Sequence, residues 1–133
     1  MTSKVYYKGN LRTNCIHLKS GSEIITDAPV DNSGKGEAFS PTDIVATALA
    51  SCMITVMGIK ADQLGISFTD VSANVEKIMS TNPRRISKIS IAIDLPIKLS
   101  EKDKLILEKV GNTCPVHNSL DPKLIREIKY NWI

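Results

Sequence analysis

An uncharged segment spanning residues 44–59 is the feature that most constrains how this chain can fold. It lies between Ser40 and Pro41 on one side and Gly65 on the other, residue types that favour the start and the end of a helix. The segment therefore predicts one long helix, apolar on every side, which we expect to be buried on every side. Hydroxyl residues interrupt it, and it is too short for a comfortable membrane span. We predict a central core helix wrapped by strands, and no membrane partner.

The composition fits a single domain covering residues 1–133. Hydrophobic residues make up 42% of the chain, and the net charge is only +3, with the basic residues spread along the sequence. That spread argues against a nucleic-acid partner. The first residues are polar, so we expect no secretory signal there. Three cysteines then indicate a reducing, cytoplasmic compartment rather than a disulfide scaffold.

The periodicity of the remaining sequence predicts an α+β domain with mostly antiparallel sheet. Alternating apolar residues predict strands, and helical spacing between capping residues predicts helices. The predicted order is strands within residues 5–18 and 23–26, a polar loop at 27–39, the central helix, strands at 68–79 and 86–95, a helix from Ser100 to Gly111, a short helix beginning at Cys114, and a last strand at 125–133.

The length of the central helix also predicts a second copy of the chain. A few strands from one short chain cannot cover a long helix that is apolar all round. We therefore predict a homodimer in which the central helices of two chains pack together under sheets from both. The small residues that would allow this close approach are Ala46, Ala48, Ala50 and Ser51.

Cys114 and Cys52 are the candidate reactive residues. Cys114 stands directly before Pro115, which places its sulfur at a predicted helix N-terminus, where N–H groups and the helix dipole stabilise a thiolate. Cys52 lies in the middle of the central helix in apolar company. There it is either an inert small hydrophobe or a reactive thiol that needs a cation beside it. Cys15 lies in a strand with neither feature, and we expect it to be structural.

Arg12, Arg84 and Arg85 are the candidate cations for Cys52, and Arg12 fits best because its predicted strand lies opposite the central helix. Asp43 could hold the Arg12 guanidinium in a fixed fork, although an ordinary helix-start carboxylate would also explain it. These residues form a hypothetical redox constellation. It contains an attacking thiol, an orienting arginine, a supporting carboxylate, and a second thiol that resolves a sulfenic acid as a disulfide.

The histidines and the paired arginines leave other interpretations open. His117, three residues after Cys114, could ligate a metal, act as a base for a cysteine nucleophile, or only tune the thiol. No second close-spaced pair of ligands supports the metal. We expect His17 to be exposed in a strand, and Arg84 and Arg85 to be solvated at a hairpin tip.

The sequence SPTDIVATALASC, followed roughly sixty residues later by NTCPVH, resembles the OsmC/Ohr family of osmotically induced and organic-hydroperoxide-resistance proteins. The match covers essentially the whole chain, including the order of elements. The resemblance implies an OsmC-like α+β fold, with antiparallel sheets wrapped around a long central helix in an intertwined homodimer. It also implies active sites at the subunit interface, no metal and no prosthetic group.

Carried over to this sequence, the resemblance implies that Cys52 is the peroxidatic cysteine and Cys114 the resolving cysteine. It implies that Arg12 is the catalytic arginine of an N-terminal strand. The family's helix-start glutamate falls near Thr42 or Asp43, and Asp43 lies one residue later than that glutamate does in the peroxidases. In this respect the chain is similar to the divergent OsmC-like branch of the family.

Two functions follow from these expectations. The first is a thiol-dependent peroxidase that reduces organic hydroperoxides through Cys52 and Cys114 and is regenerated by an external dithiol. The apolar lining expected around Cys52 favours alkyl or lipid hydroperoxides. The second is a non-enzymatic OsmC-like dimer that binds a small apolar or thiol ligand, or serves as a redox sensor. The position of Asp43 favours this second function.

Overall fold

The computed structural model describes residues 1–133, which divide into two compact units, residues 1–45 and 46–133. The elements in chain order are β1 (Ser3–Gly9), β2 (Arg12–His17), β3 (Glu23–Asp27), a short 3₁₀ helix (Val30–Asn32), α1 (Pro41–Gln63), β4 (Ser72–Ser80), β5 (Arg85–Leu95), α2 (Glu101–Gly111), α3 (Pro115–Ser119) and β6 (Ile125–Trp132). This content confirms the predicted α+β class and the predicted order of elements. The single domain expected for residues 1–133 stays a prediction.

The first sheet is an antiparallel meander in the order β1-β2-β3. Its register places Arg12 of β2 directly opposite Asp27 of β3. Several of its apolar side chains are exposed, namely Val5, Tyr6, Tyr7, Ile24 and Ile25. None of the buried apolar residues of the chain lies within residues 1–45, so this sheet has no apolar core of its own.

The second sheet has the order β4-β5-β6, with β5 in the centre. Strands β4 and β5 form the predicted antiparallel hairpin. Strand β6 departs from the antiparallel pattern and runs parallel to β5, because the chain first crosses back through α2 and α3. The alternation of β5 buries one face of this strand, which consists of Ile89, Ile91, Ile93 and Leu95.

Helix α1 begins and ends with the predicted caps. The Ser40 hydroxyl accepts the Asp43 N–H at 3.1 Å, and the Asp43 carboxylate accepts the Ser40 N–H at 3.0 Å. These two bonds form a capping box. After the helix, Gly65 has a φ of +69°, and the Ile66 N–H donates to the Ala61 carbonyl at 2.9 Å. A left-handed glycine with this bond is a common way to end a helix.

Only one stripe of α1 is buried within the single chain. The buried residues are Ala46, Leu49, Ala50, Met53, Met57 and Ala61, and they share one hydrophobic cluster with the buried face of β5. Val45 and Ile59 are exposed although they are apolar. The expectation that α1 is buried on every side is therefore wrong for one chain, because the chain covers only one face of the helix.

The four small residues predicted at a helix–helix contact divide into two pairs. Ala46 and Ala50 are buried in the chain's own core, whereas Ala48 and Ser51 are outside the buried set. This difference follows from the helical period, which places residues 46 and 50 on the same stripe as Met53 and Met57. Only Ala48 and Ser51 therefore remain accessible to a second helix.

Helix α1 passes a length and composition test for a membrane span, with 23 residues and a mean hydropathy of 1.8 in its most apolar window. The expectation that it is too short was based on the uncharged segment alone and is wrong for the whole helix. The same test is also met by the core helix of a soluble protein, and 33% of this window is buried within the chain.

Helices α2 and α3 lie between the hairpin and β6. The Ser100 hydroxyl accepts the Asp103 N–H at 3.2 Å, which confirms the predicted start of α2. Helix α3 starts at Pro115, and the preceding Cys114 is its N-cap with an extended backbone. The prediction of a short helix beginning at Cys114 is confirmed.

Candidate functional site

Cys114 is held at the start of α3 with its thiol inside the core. Its sulfur accepts the backbone N–H of His117 at 3.4 Å, as an N-cap side chain does. The residue is 1% exposed and belongs to the hydrophobic cluster that contains the buried stripe of α1. The sequence places a cysteine here as a cap, and the packing removes it from water.

Cys52 of α1 packs against the hydrophobic cluster that contains Cys114. Burial raises the pKa of Cys114, and the neighbouring Cys52 thiol raises this pKa further, whereas the N–H groups of His117 and Val116 lower it. Cys52 is half-buried, and both cysteines are free thiols. Two residues separated by the second half of α1, the hairpin and α2 thus meet as a dithiol at one hydrophobic cluster.

Tyr130 of β6 borders this dithiol. Its hydroxyl donates to the Asn112 side-chain oxygen at 2.7 Å and lies 3.3 Å from the Glu108 carbonyl. Burial, the charge of Glu108 and the charge of Cys114 raise the pKa of Tyr130, so the phenol stays protonated. The backbone of Gly111 approaches so closely that an added Cβ would lie 2.8 Å from the Tyr130 hydroxyl oxygen.

His117 contributes its backbone to Cys114, and its imidazole is held neutral. Burial lowers the pKa of His117, and the nearby charge of Arg126 lowers it further. No group of three or more histidine, cysteine or acidic side chains is arranged so that it could hold a metal ion. The metal-ligand interpretation of His117 therefore finds no partner residues among the described side chains.

Arg12, in the first unit, is held by two carboxylates. Its Nε donates to Asp27 Oδ1 at 2.7 Å and its Nη2 donates to Asp27 Oδ2 at 2.8 Å. Nη2 also contacts Glu37 Oε2 at 3.3 Å. The hydrogen bonds and charge of Asp27 raise the pKa of Arg12, and hydrogen bonding to Arg12 lowers the pKa of Asp27. The Nη1 group has no partner.

The carboxylate that forms a fork with Arg12 is therefore Asp27, which takes the place that the sequence hypothesis gave to Asp43. Asp27 is 2% exposed and also accepts the N–H of Glu37 at 3.1 Å. Asp43 instead closes the capping box of α1 with Ser40. A role of Asp43 toward Arg12 stays a prediction.

The other residues singled out from the sequence have local partners. Cys15 in β2 is half-buried, with its sulfur 3.8 Å from the Thr13 hydroxyl. His17 is exposed, and its Nδ1 lies 2.6 Å from the Ser20 hydroxyl. Arg85 begins β5 beside the hairpin turn. None of these contacts is with the Cys52–Cys114 pair.

Asp27, Tyr130 and Arg126 were not predicted from the sequence. A signal for the last two exists in the final strand, where Arg126, Ile128, Tyr130 and Trp132 alternate on one face. An arginine and a tyrosine on an otherwise apolar face indicate buried polar contacts. Asp27 was missed because its strand was predicted to end one residue earlier, which hid the pairing with Arg12.

Comparisons with known proteins agree with this fold. No curated protein matches the chain. Among solved structures, one is described as an osmotic stress induced and detoxification response protein from Psychrobacter arcticus 273-4. It is 51% identical to this chain, with a TM-score of 0.95 over 98% of this chain and 95% of that chain.

More distant structures share the fold alone. The organic hydroperoxide resistance protein OsmC of Legionella pneumophila is 20% identical, with a TM-score of 0.72 over 97% of this chain and 94% of that chain. The organic hydroperoxide resistance protein OhrB of Bacillus subtilis is 13% identical, with a TM-score of 0.68 over 98% of both chains. The predicted OsmC-like fold is thereby confirmed. A family model described as OsmC-like protein matches residues 34–128, and the chain therefore belongs to the family of OsmC-like proteins.

Proposed function

We propose that this protein is a thiol-dependent peroxidase that reduces organic hydroperoxides through Cys52 and Cys114. The observation that carries the proposal is the meeting of these two thiols beside one hydrophobic cluster. Two structures with the same fold belong to proteins named for organic hydroperoxide resistance, which supports this substrate class. The apolar surroundings of the dithiol favour an alkyl or lipid hydroperoxide over hydrogen peroxide.

In the first step, the Cys52 thiolate attacks the terminal oxygen of the hydroperoxide. A sulfur–oxygen bond forms, the O–O bond breaks, and the alkoxide leaves and takes up a proton to become an alcohol. Cys52 is oxidised to a sulfenic acid while the peroxide is reduced. Cys52 suits this role better than Cys114 because it is more exposed.

In the second step, Cys114 resolves the sulfenic acid. Its thiol attacks the Cys52 sulfur, a disulfide forms, and the hydroxyl group leaves with a proton as water. Burial keeps Cys114 protonated by raising its pKa, which suits a resolving thiol that must not react with the peroxide first. An external dithiol then reduces the disulfide and regenerates both thiols.

Arg12 is the proposed catalytic arginine, which polarises the peroxide and stabilises the leaving alkoxide. The two bonds from Asp27 fix the guanidinium plane, and the unpartnered Nη1 leaves N–H donors for an oxyanion. In this proposal Asp27 is the supporting carboxylate and Asp43 is a helix cap. Neither a metal nor a prosthetic group takes part.

We also propose that the active protein is a homodimer in the cytoplasm. The exposed apolar side chains of the first sheet and of α1, among them Tyr7, Ile24 and Ile59, form surfaces that a soluble chain covers with a partner. A second copy of this chain is the proposed cover. Sedimentation of the purified protein should give twice the chain mass of 14.6 kDa, and a monomer at micromolar concentration would reject this part of the proposal.

Hydroperoxide consumption with a dithiol reductant tests the peroxidase. Cys52→Ser should abolish turnover, because no sulfenic acid can form, and Cys114→Ser should stop after one turnover with Cys52 as sulfenic acid. Cys15→Ser is the matched control and should keep full activity. Turnover that survives in Cys52→Ser would reject the proposal.

The second candidate is a non-enzymatic dimer that binds a small apolar or thiol ligand, or acts as a redox sensor. It is favoured by the engagement of Asp43 in the helix cap rather than in the fork on Arg12. Thermal stabilisation of the reduced protein by an apolar thiol, without hydroperoxide turnover, would support this candidate instead of the peroxidase.

A further inference from the structure

Arg126 lies on the face of β6 that packs against the core. Along this strand the less exposed residues alternate with exposed ones, and the less exposed Ile128, Tyr130 and Trp132 pack against the hydrophobic cluster. Arg126 has the same place in the alternation. A permanently charged side chain therefore stands where the pattern of the strand favours an apolar one.

The Arg126 guanidinium binds backbone carbonyls and no carboxylate. Nη1 donates to the Leu124 carbonyl at 3.0 Å, and Nη2 donates to the His117 carbonyl at 3.2 Å. Nε is buried without a partner. A partly buried cation without an anion is costly, and a packed apolar side chain would serve stability at least as well. Stability alone therefore does not explain an arginine at this position, and its hydrogen bonds indicate another role.

Arg126 holds the residue that binds the Cys114 sulfur. The His117 carbonyl accepts a hydrogen bond from the Arg126 guanidinium, and the His117 N–H donates to the sulfur of Cys114. Helix α3 has only five residues, too few to be stable without outside contacts. The hydrogen bond from Arg126 of β6 to the His117 carbonyl therefore restricts the position of the Cys114 sulfur at the start of α3.

We propose that Arg126 is a positioning residue for the closure of the Cys52–Cys114 disulfide. The biological role of this closure rests on the proposed function, but the closure itself does not need a peroxide. Thiol attack on an oxidised sulfur requires the attacking atom in line with the bond that breaks, and a displacement of about 1 Å can slow such a step by about 100-fold. Loosening α3 should therefore slow the second step and spare the first.

A nitrobenzoate disulfide reagent measures both steps in the Cys15→Ser protein. Cys52 attacks the reagent, forms a mixed disulfide and releases one coloured thiolate. Cys114 then attacks the Cys52 sulfur, closes the protein disulfide and releases the second thiolate. The variant is Arg126→Gln, which removes the charge and three of the five N–H donors. The matched control is Lys129→Gln, which removes a charge from an exposed position of the same strand.

We expect the first release to keep its rate in both variants and the second to be about 10-fold slower or more in Arg126→Gln. Arg126→Lys, which keeps the charge but not the fork, should lie between the two. If Arg126→Gln does not fold, as judged by thermal melting, the same split of rates in Arg126→Lys decides the question. Equal closure rates in the arginine variant and the lysine control would overturn the proposal.

The peroxide reaction separates this inference from the proposed function. If hydroperoxide leaves Cys52 unoxidised in the parent protein, the peroxidase proposal fails, while the thiolate-release rates still report on Arg126. If sulfenic acid forms on Cys52 and persists longer in Arg126→Gln than in Lys129→Gln, both proposals are supported.

Discussion

Glycine-to-alanine substitutions at two helical positions should change the free energy of unfolding in opposite directions. Gly111 ends α2 beside the dithiol, and an added Cβ there would lie 2.8 Å from the Tyr130 hydroxyl oxygen, 3.0 Å from Met57 Sδ and 3.3 Å from Met57 Cγ. Gly58 lies inside α1, where the nearest atom to an added Cβ is Phe68 Cδ1 at 3.4 Å. An alanine would therefore overpack the site of Gly111, whereas the site of Gly58 has room for its methyl group.

The magnitudes follow from two opposing terms. Alanine in place of a glycine inside a helix gains about 0.5–1 kcal/mol of free energy of unfolding. Overpacking a tight core costs about 1–3 kcal/mol. At Gly111 the clash cannot relax easily, because Met57 is fully buried and Tyr130 is bound to Asn112 at 2.7 Å. We expect Gly111→Ala to lose about 1–2 kcal/mol and Gly58→Ala to gain up to about 1 kcal/mol.

Thermal melting and urea unfolding at one fixed protein concentration measure both changes, since the stability of an oligomer depends on concentration. For a chain of this length, 1 kcal/mol corresponds to about 3–5 °C in Tm. Gly111→Ala should therefore melt below the parent protein and Gly58→Ala at or above it. A Gly111→Ala variant as stable as the parent would refute the reasoning about packing around Tyr130.

Two further predictions concern the first unit and the start of α1. Ser40→Ala should lower the free energy of unfolding by about 1 kcal/mol, because it removes the hydroxyl that accepts the Asp43 N–H; urea unfolding measures this, and an unchanged midpoint would contradict the capping role. Because Arg12 lowers the pKa of Asp27 in the folded protein, the stability from this pair is present above about pH 4 and is lost as the pH falls through the lowered pKa. Unfolding at about pH 6 and about pH 3 should show a smaller acid loss for Asp27→Asn than for the parent, and equal losses would contradict the ion pair.

Much of the local structure was predictable because the signals for it are local. Ser40, Ser100 and Cys114 start helices through bonds that span three residues, so a short stretch of sequence contains both partners. The apolar alternation within residues 86–95 likewise predicted the strand β5. The dithiol was predicted from the residue types at two helix positions together with the family resemblance, rather than from any contact visible in the sequence.

What could not be predicted depends on strand pairing. Asp27 reaches Arg12 because the register of β2 and β3 places them opposite each other, and a one-residue error in the end of β3 hides this pair. Arg126 reaches His117 because β6 joins β5 in parallel after a long crossover, and sequence spacing does not determine that contact. The incomplete burial of α1 within one chain was not predicted, because the sequence of a helix that is apolar all round does not show whether the same chain or a second copy covers each face.

The decisive test of the Cys52–Cys114 peroxidase is the intact mass of the reduced Cys15→Ser protein, before and after one equivalent of cumene hydroperoxide. We expect a loss of two hydrogens per subunit, with one cross-linked peptide pair that contains Cys52 and Cys114. Cysteine peptides of unchanged mass, or added oxygen found only on methionines, would contradict it.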